Sequence, residues 1–134
     1  MTDTLVIRVD WTPPASLSPN SRVHWRGKHP DQQGARALTM HAARAAIRAA
    51  PDWCLPAQPV LDAVIAWGKG GRRRDSDNAL NSLKHSIDGM CAALGFDDKQ
   101  FLTSRAFQRR DPDKRGYVEF IIRPATDDER RLTA

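Results

Sequence analysis

The stretch VLDAVIAWGKGGRRRDSDNALNSLKHSIDGMCAAL, residues 60–94, decides the fold because it holds a strand, a loop and a helix in succession. β-forming side chains alternate in its first part, and one side of the predicted strand carries Leu61, Ala63, Ile65 and Trp67. After the glycine-rich loop, apolar side chains recur at helical spacing, at Leu80, Leu83, Ile87, Met90 and Leu94. The stretch therefore predicts a buried strand that leads through a polar loop into an amphipathic helix.

Further strands are predicted on both sides of this stretch. Residues 4–10 alternate between apolar and polar side chains, with Leu5, Ile7 and Val9 on one side. Residues 101–108 and 117–123 are two more strand-like runs, and the turn-rich segment between them predicts a hairpin. The tail after Pro124, residues 125–134, is polar and is expected to fray.

An alanine-rich segment from about Gln32 to Ala50 predicts a second amphipathic helix. Its apolar stripe is expected at Leu38, Ala42, Ala45 and Ala49, and its basic side at His41, Arg44 and Arg48. The basic side is either a solvated helix face or a surface for phosphates. The predicted order is β-α-β-α-β-β, which indicates a single α+β domain with a small mixed sheet and two main helices.

The chain is basic, and arginine supplies most of the positive charge. Among its 134 residues, 21 Lys and Arg stand against 16 Asp and Glu, which gives a formal net charge of +5. Arginine favours bidentate contacts to phosphate, so an anionic polymer is the natural partner. Charge of this size is also found in proteins that never bind nucleic acid, so its location in the fold has to decide.

No long apolar segment is present, and this predicts a cytoplasmic protein that does not enter a membrane. Cys54 and Cys91 lie far apart, and neither has a histidine at the spacing of a zinc ligand set. We expect both cysteines to be reduced and partly buried.

A loop rich in cations follows the first predicted strand and could lie on phosphates. The residues selected there as nucleic-acid contacts are Asn20, Arg22, Trp25, Arg26 and Lys28. Trp25 is the one tryptophan set among cations, although tryptophans serve more often as core anchors than as stacking platforms.

Aspartates cluster where the central strand gives way to the helix. Asp75 and Asp77 are two residues apart, so an extended backbone would point both carboxylates to one side. Lys84 continues this polar face along the helix, and Asp98 could fold back from the loop after Gly95. Carboxylates in this arrangement suit Mg²⁺, which binds hard oxygens and retains waters and phosphate oxygens.

Each of these residues also has an ordinary structural explanation. Asp77 could be a helix N-cap, Asp97 and Asp98 a turn, and Lys84 a solvated helix lysine. The run Arg72, Arg73 and Arg74 is predicted to contact DNA phosphates, and its alternative explanation is a surface of ion pairs. The joint arrangement favours a functional site more than any single residue does.

The segment RRRDSDNALNSLKHSIDGMCAALGFDDKQF, residues 72–101, resembles the RusA family of Holliday junction resolvases. That family carries an R-R-D-x-D-N motif, a helix with a lysine and a later D-D-x-Q. The earlier segment from Leu17 to Arg22, followed by His24 and Trp25, is similar to the N-terminal part of the family. The resemblance thus reaches from the first predicted strand to about Phe101.

The resemblance implies that Asp75, Asp77 and Asp98 are the catalytic, metal-binding aspartates. The best-known form has its lysine where this chain has Asn81, so either Asn81 or Lys84 takes that role. The resemblance also implies a homodimer, Mg²⁺ or Mn²⁺ in its place, and a part in DNA recombination and repair.

Three functional hypotheses follow from these observations. The leading one is a Mg²⁺-dependent, structure-selective DNA endonuclease that resolves four-way junctions. The second is a non-catalytic basic module for branched DNA, in which arginines hold phosphates and the acids only cap elements. The third, a phosphohydrolase of a small nucleotide, is disfavoured because Gly68–Gly71 lacks the spacing of a phosphate loop.

Overall fold

Four strands form one mixed sheet in the part of the chain that the structure describes. The structure is a computed structural model that describes residues 3–19 and 25–134, apart from the side chain of Trp25. The strands are β1 (Leu5–Val9), β2 (Pro59–Trp67), β3 (Thr103–Arg110) and β4 (Tyr117–Pro124). Their spatial order is β1-β4-β2-β3. β4 pairs antiparallel with both β1 and β2, whereas β2 and β3 are parallel. The predicted α+β class with a mixed sheet is confirmed.

Within the described residues, four helices accompany the sheet. They are α1 (Trp25–Ala49), α2 (Ser76–Asn81), α3 (Lys84–Leu94) and α4 (Asp127–Thr133). Short 3₁₀ turns cover Ala15–Leu17 and Asp98–Gln100. Within the described residues, no helix has the length and apolar character needed to cross a membrane.

The core lies between one face of the sheet and the helices α1 and α3. In β1 the burial alternates as predicted, with Leu5, Ile7 and Val9 inside. In β2 the predicted inner side chains are also buried, because apolar side chains on the strand pack under the helices. Phe120 of β4 is fully buried at the centre of this layer.

Helices α1 and α3 cross closely at Gly89. A Cβ atom added to Gly89 would lie 2.1 Å from the carbonyl oxygen of Arg36, far inside van der Waals contact. Only a residue without a side chain allows the two backbones to approach this far. Gly89 therefore sets the spacing between the two main helices.

The predicted hairpin between β3 and β4 is wrong, because β2 lies between these two strands. Their connection crosses the end of β2, where the Asp111 N–H donates to the Trp67 carbonyl at 2.9 Å. The Lys69 N–H likewise donates to the Lys114 carbonyl at 3.1 Å. The segment between β3 and β4 does contain turn residues. It passes over the end of β2 to connect the two strands, and it does not form the tight turn of a hairpin.

The single helix predicted from the apolar stripe between Leu80 and Leu94 is divided into α2 and α3. Ser82 and Leu83 separate the two, and the buried Ser82 hydroxyl donates to the Ala79 carbonyl at 2.7 Å. The apolar stripe nevertheless faces the core, since Leu83, Ile87 and Met90 are buried. The hydrophobic periodicity therefore predicted the buried face of the helix correctly. It did not predict the interruption of the helix at Ser82 and Leu83.

The stripe predicted for α1 is partly wrong. Leu38 is 42% exposed, and Ala45 and Ala49 face solvent as well. The buried side chains are instead Ala35, Thr39 and Ala43, which pack toward the core. In a helix where alanine occurs on every side, the hydrophobic periodicity has too little contrast to identify the inner face. The helix also begins earlier than predicted, at Trp25.

The tail forms the helix α4 where fraying was expected. Thr126 is its N-cap, and its hydroxyl accepts the Glu129 N–H at 3.1 Å. The Glu129 carboxylate accepts the Thr126 N–H at 2.9 Å in return, which completes a capping box. The tail was expected to fray because its composition is polar, and that expectation did not take the capping box of Thr126 and Glu129 into account.

Candidate functional site

A groove opens between the junction of α2 with α3 and the strand β3. Its volume is about 300 Å³, and we call it the α3 groove. Its lining consists of Leu80, Asn81, Lys84, Ile87, Asp98 and Ser104. The groove thus combines an apolar wall with an amide, an ammonium, a carboxylate and a hydroxyl group.

Four different elements bring these polar groups together. Asn81 is the last residue of α2 and Lys84 is the first residue of α3. Asp98 opens the second 3₁₀ turn, and Ser104 lies near the start of β3. Sequence reasoning had selected Lys84, Asn81 and Asp98 but not Ser104, which has no motif around it. Its position became evident only once β3 was placed beside β2.

The carboxylate of Asp98 lies in a negative environment. Its pKa is raised, chiefly by a hydrogen bond shared with the Asp97 side chain, and further by the charges of Asp97 and Asp88. The pKa of Asp97 is lowered, first of all because its carboxylate accepts the Lys99 N–H at 2.9 Å. Burial and the same acids raise the pKa of Cys91 to about 12. Asp88, Asp97 and Asp98 therefore concentrate negative charge around Cys91 and the loop after α3.

Asp75 and Asp77 do not converge with Asp98. Because α2 begins at Ser76, Asp75 is its N-cap residue and Asp77 lies in its first turn, where two residues of separation turn the side chains apart. Both side chains are exposed and lie outside the lining of the α3 groove. Among the described residues, no three His, Cys, Asp or Glu side chains form a group that could hold a metal ion.

The three consecutive arginines have different surroundings. Arg72 and Arg73 are exposed, as a phosphate-binding role would require. Arg74 instead donates through Nη2 to the Pro13 carbonyl at 2.8 Å, and its guanidinium lies 4.9 Å from the centre of the Trp67 ring. Burial lowers the pKa of Arg74. Arg74 is thus a structural anchor of the loop, in contrast to the shared role predicted for the three.

More cations lie at the same end of the sheet, and the sequence did not single them out. Arg110 donates to the carbonyls of Gly68 and Gly71, at 3.1 and 3.2 Å, and so closes the glycine-rich loop. Lys69 and Lys114 lie beside Arg110 around a shared depression. Their sequence neighbours are turn residues, so only the crossing of the β3–β4 connection over β2 brought them together.

Of the remaining predicted contacts, those within the described residues lie along α1. Asn20 and Arg22 lie outside the described residues, as does the side chain of Trp25. Arg26 and Lys28 belong to the beginning of α1, and each has interaction partners. Arg44 and Arg48 are exposed further along the same helix.

The two cysteines are free thiols with different exposure. Cys91 is buried in α3, whereas Cys54 is exposed, which corrects the prediction that both would be partly buried.

Sequence comparison identifies no family for this chain. No family model matches it. A protein of Xylella fastidiosa (strain Temecula1), described there as uncharacterized, is 36% identical over 95 residues. The match covers 68% of this chain and 59% of that protein, so the chain spans less than two thirds of its relative.

Solved structures with some similarity include three of the periplasmic domain of Helicobacter pylori MotB. For residues 97–256, 78–256 and 90–256 of MotB, the TM-scores are 0.41, 0.44 and 0.45, and the identities 13%, 13% and 11%. The similarity covers 98% of this chain and 90%, 83% and 81% of those chains. At these identities and TM-scores the likeness carries no argument about function, so nothing of MotB is transferred to this chain.

The predicted function is wrong on this comparison, since these three solved structures are MotB periplasmic domains and none of the three is a nuclease. The assignment as a junction-resolving DNA endonuclease, its role in recombination and repair, and its branched-DNA partner therefore have no counterpart among them and are not retained as conclusions. The homodimer rested on the same assignment and is withdrawn with it.

Proposed function

We propose that the α3 groove binds a divalent cation, Mg²⁺, together with a phosphate group of a ligand. The observation that carries this proposal is the meeting of Asn81, Lys84, Asp98 and Ser104 around one groove. Mg²⁺ uses one or two carboxylates and completes its shell with waters and phosphate oxygens, so a site with few acids is suitable. The Lys84 ammonium supplies a positive charge for the phosphate.

The electrostatics of the groove support a cation beside Asp98. The pKa of Asp98 is raised first by its hydrogen bond with the Asp97 side chain, then by burial, and then by repulsion from the charges of Asp97 and Asp88. A bound cation would relieve this repulsion, and it would stabilise the charged form of Asp98. The oxygens of Asn81 and Ser104 are hard donors of the type that Mg²⁺ accepts.

We propose an outer role for Asp77. It lies four residues before Asn81 on α2, so the side chains of Asp77 and Asn81 share one face of that helix. The Asp77 carboxylate would hold a water of the cation's hydration shell, since Mg²⁺ gives up its waters reluctantly. The RusA-like motif has its metal-binding aspartates at Asp75, Asp77 and Asp98, and this resemblance supports the choice of cation.

Mn²⁺ is a suitable probe for the cation, because its binding is measured directly by electron paramagnetic resonance. Asp98→Asn should weaken Mn²⁺ binding by about tenfold or more, since it removes the one carboxylate in the groove. Asp10→Asn is the matched control, because Asp10 is an exposed aspartate that pairs with Arg8 at the end of β1. Equal Mn²⁺ affinities for wild type and Asp98→Asn would contradict the proposal.

Inorganic phosphate probes the second ligand. Bound Mn²⁺ should broaden the ³¹P resonance of phosphate in the wild type, and Lys84→Ala should reduce this broadening while Mn²⁺ still binds. Broadening that is the same in Lys84→Ala would remove Lys84 from the phosphate site.

A further inference from the structure

The face of the sheet that points away from α1 and α3 carries a network of four charged residues. Asp62 of β2 lies between Arg105 of β3 and Arg123 of β4 and pairs with both. Glu129 of α4 pairs with the same two arginines. Asp62 and Arg105 are direct partners in the β2–β3 register. The alternation of side chains along β2 places Asp62 on the side opposite Leu61 and Ala63. It does not identify the ion-pair partners of Asp62, which lie on other strands.

Arg123 is held between the two acids. Its Nε donates to Asp62 Oδ2 at 2.8 Å, and its Nη1 and Nη2 donate to the two oxygens of Glu129 at 2.7 and 3.0 Å. Arg105 donates to Asp62 at 3.2 Å and to Glu129 at 3.3 Å. Glu129 therefore bridges two guanidinium groups, and its pair with Arg123 has the bidentate geometry that arginine also offers to phosphate.

The helix α4 depends on this contact for its place on the sheet. Leu132, the large apolar side chain of α4, is 79% exposed, so apolar burial contributes little to its docking. Other ion pairs of α4, such as Arg131 with Asp128, lie within the helix itself. A helix as short as Asp127–Thr133 is only marginally stable in isolation, so it should unfold once it loses the sheet.

We propose that Arg105 and Arg123 form an anion-binding site that Glu129 occupies in the absence of ligand, so that a phosphate-type dianion displaces Glu129 and releases α4. Without Glu129, two guanidinium groups face the single carboxylate of Asp62, which leaves a net positive site. A dianion with several oxygens satisfies both arginines better than one carboxylate does.

The charge of Glu129 belongs to this site. Its pKa is lowered to about 2, first by the hydrogen bonds from Arg123 and then by the Thr126 N–H. Glu129 therefore stays ionised near neutral pH, and displacement has to come from a competing anion and not from protonation. This anion site is separate from the α3 groove, since none of the four charged residues of the network lines that groove.

Hydrogen exchange of the full chain, read by mass spectrometry on the peptide that contains α4, tests the competition. Sodium phosphate should accelerate exchange in α4 more than sodium chloride at the same ionic strength. Glu129→Gln should exchange rapidly without phosphate, because it removes the charge while glutamine still supports the capping box with Thr126. Asp128→Asn is the control, because Asp128 pairs with Arg131 inside α4 and should leave exchange unchanged.

Two results would overturn the proposal. Equal acceleration by phosphate and chloride would mean that ionic screening alone loosens α4. Full protection of α4 in Glu129→Gln would mean that the helix does not depend on the two arginines. In Asp98→Asn, phosphate should accelerate hydrogen exchange in α4 as it does in the wild type. A negative result for the anion site is therefore distinguishable from a negative result for the proposed cation site.

Discussion

Asp111 is a buried carboxylate that organises the connection from β3 to β4. It is 4% exposed and accepts the N–H groups of Asp113, Arg115 and Gly116 at 2.9, 3.2 and 2.9 Å. These bonds lower the pKa of Asp111, with Gly116 and Asp113 as the largest causes. The composition of the segment indicated a turn, but nothing in it showed that one acid would order the whole crossing.

We predict that Asp111→Asn lowers the urea midpoint of unfolding, because the neutral amide is a weaker acceptor for three N–H groups. The folded pKa is below the unfolded value of about 3.9, so the stabilisation is fully present above that pH. It is lost as the pH falls through the folded pKa. The difference between the two proteins should therefore shrink in acid.

Asp113→Asn is the matched control for this change, because Asp113 is an exposed acid in the same turn. A difference between wild type and Asp111→Asn that stays constant from neutral to strongly acidic pH would contradict a role for the Asp111 charge.

Asp98 predicts a pH dependence for the proposed cation site. Protons and cations compete for its carboxylate, and its pKa is raised by Asp97 and Asp88. Mn²⁺ affinity should therefore rise with pH through a range above the ordinary aspartate value of about 3.9. The measurement is a Mn²⁺ titration at a series of pH values, and a flat profile across that range would exclude Asp98 as the ligand.

Among the elements, the pair of α1 and α3 is the most sensitive to one position. Gly89 permits a contact with the backbone of Arg36 that no other residue allows. Gly34 lies on the same α1 helix, but a Cβ atom added there would meet nothing within 4 Å. The two glycines thus separate the effect of helix propensity from that of helix packing.

We predict that Gly89→Ala reduces the free energy of unfolding by about 3 kcal/mol, because the backbones must move apart to admit a methyl group. Gly34→Ala should increase it by about 0.5–1 kcal/mol through helix propensity alone. Chemical denaturation of both variants measures these changes. A Gly89→Ala protein as stable as the wild type would show that the crossing is looser than the structure indicates.

At the scale of the whole molecule, one apolar layer holds the sheet and the helices together. Phe120 lies in the middle of this layer and is fully buried, whereas Phe107 lies on the opposite face of the sheet and is 47% exposed. Phenylalanine therefore occurs both inside the core and on the exposed face of the sheet.

We predict that Phe120→Ala lowers the free energy of unfolding by about 3–5 kcal/mol, since it leaves a cavity in a close-packed core. Phe107→Ala should change it by no more than about 0.5 kcal/mol, because solvent already reaches that ring. Thermal or urea unfolding of both variants provides the test. Similar losses for the two would mean that the sheet buries both of its faces.

The sequence by itself determined the identity of most elements and the inner faces of β1, β2 and α3. Alternation over a strand and helical spacing over a stripe are short-range patterns, so they can be read without knowing the partners of a segment. The alanines of α1 are the exception, because side chains of equal size leave no pattern to read. Thr126 and Glu129 carried a helix start signal that was available locally and was missed.

Only the tertiary structure decided how the chain's ends and loops meet. It placed β2 between β3 and β4, brought Ser104 to Asp98, and turned Asp75 away from Asp77 by starting a helix at Ser76. The physical reason is that strand order and groove geometry depend on packing between segments far apart in the chain. A local pattern states which side chain is apolar or charged, but the fold decides which other side chain it meets.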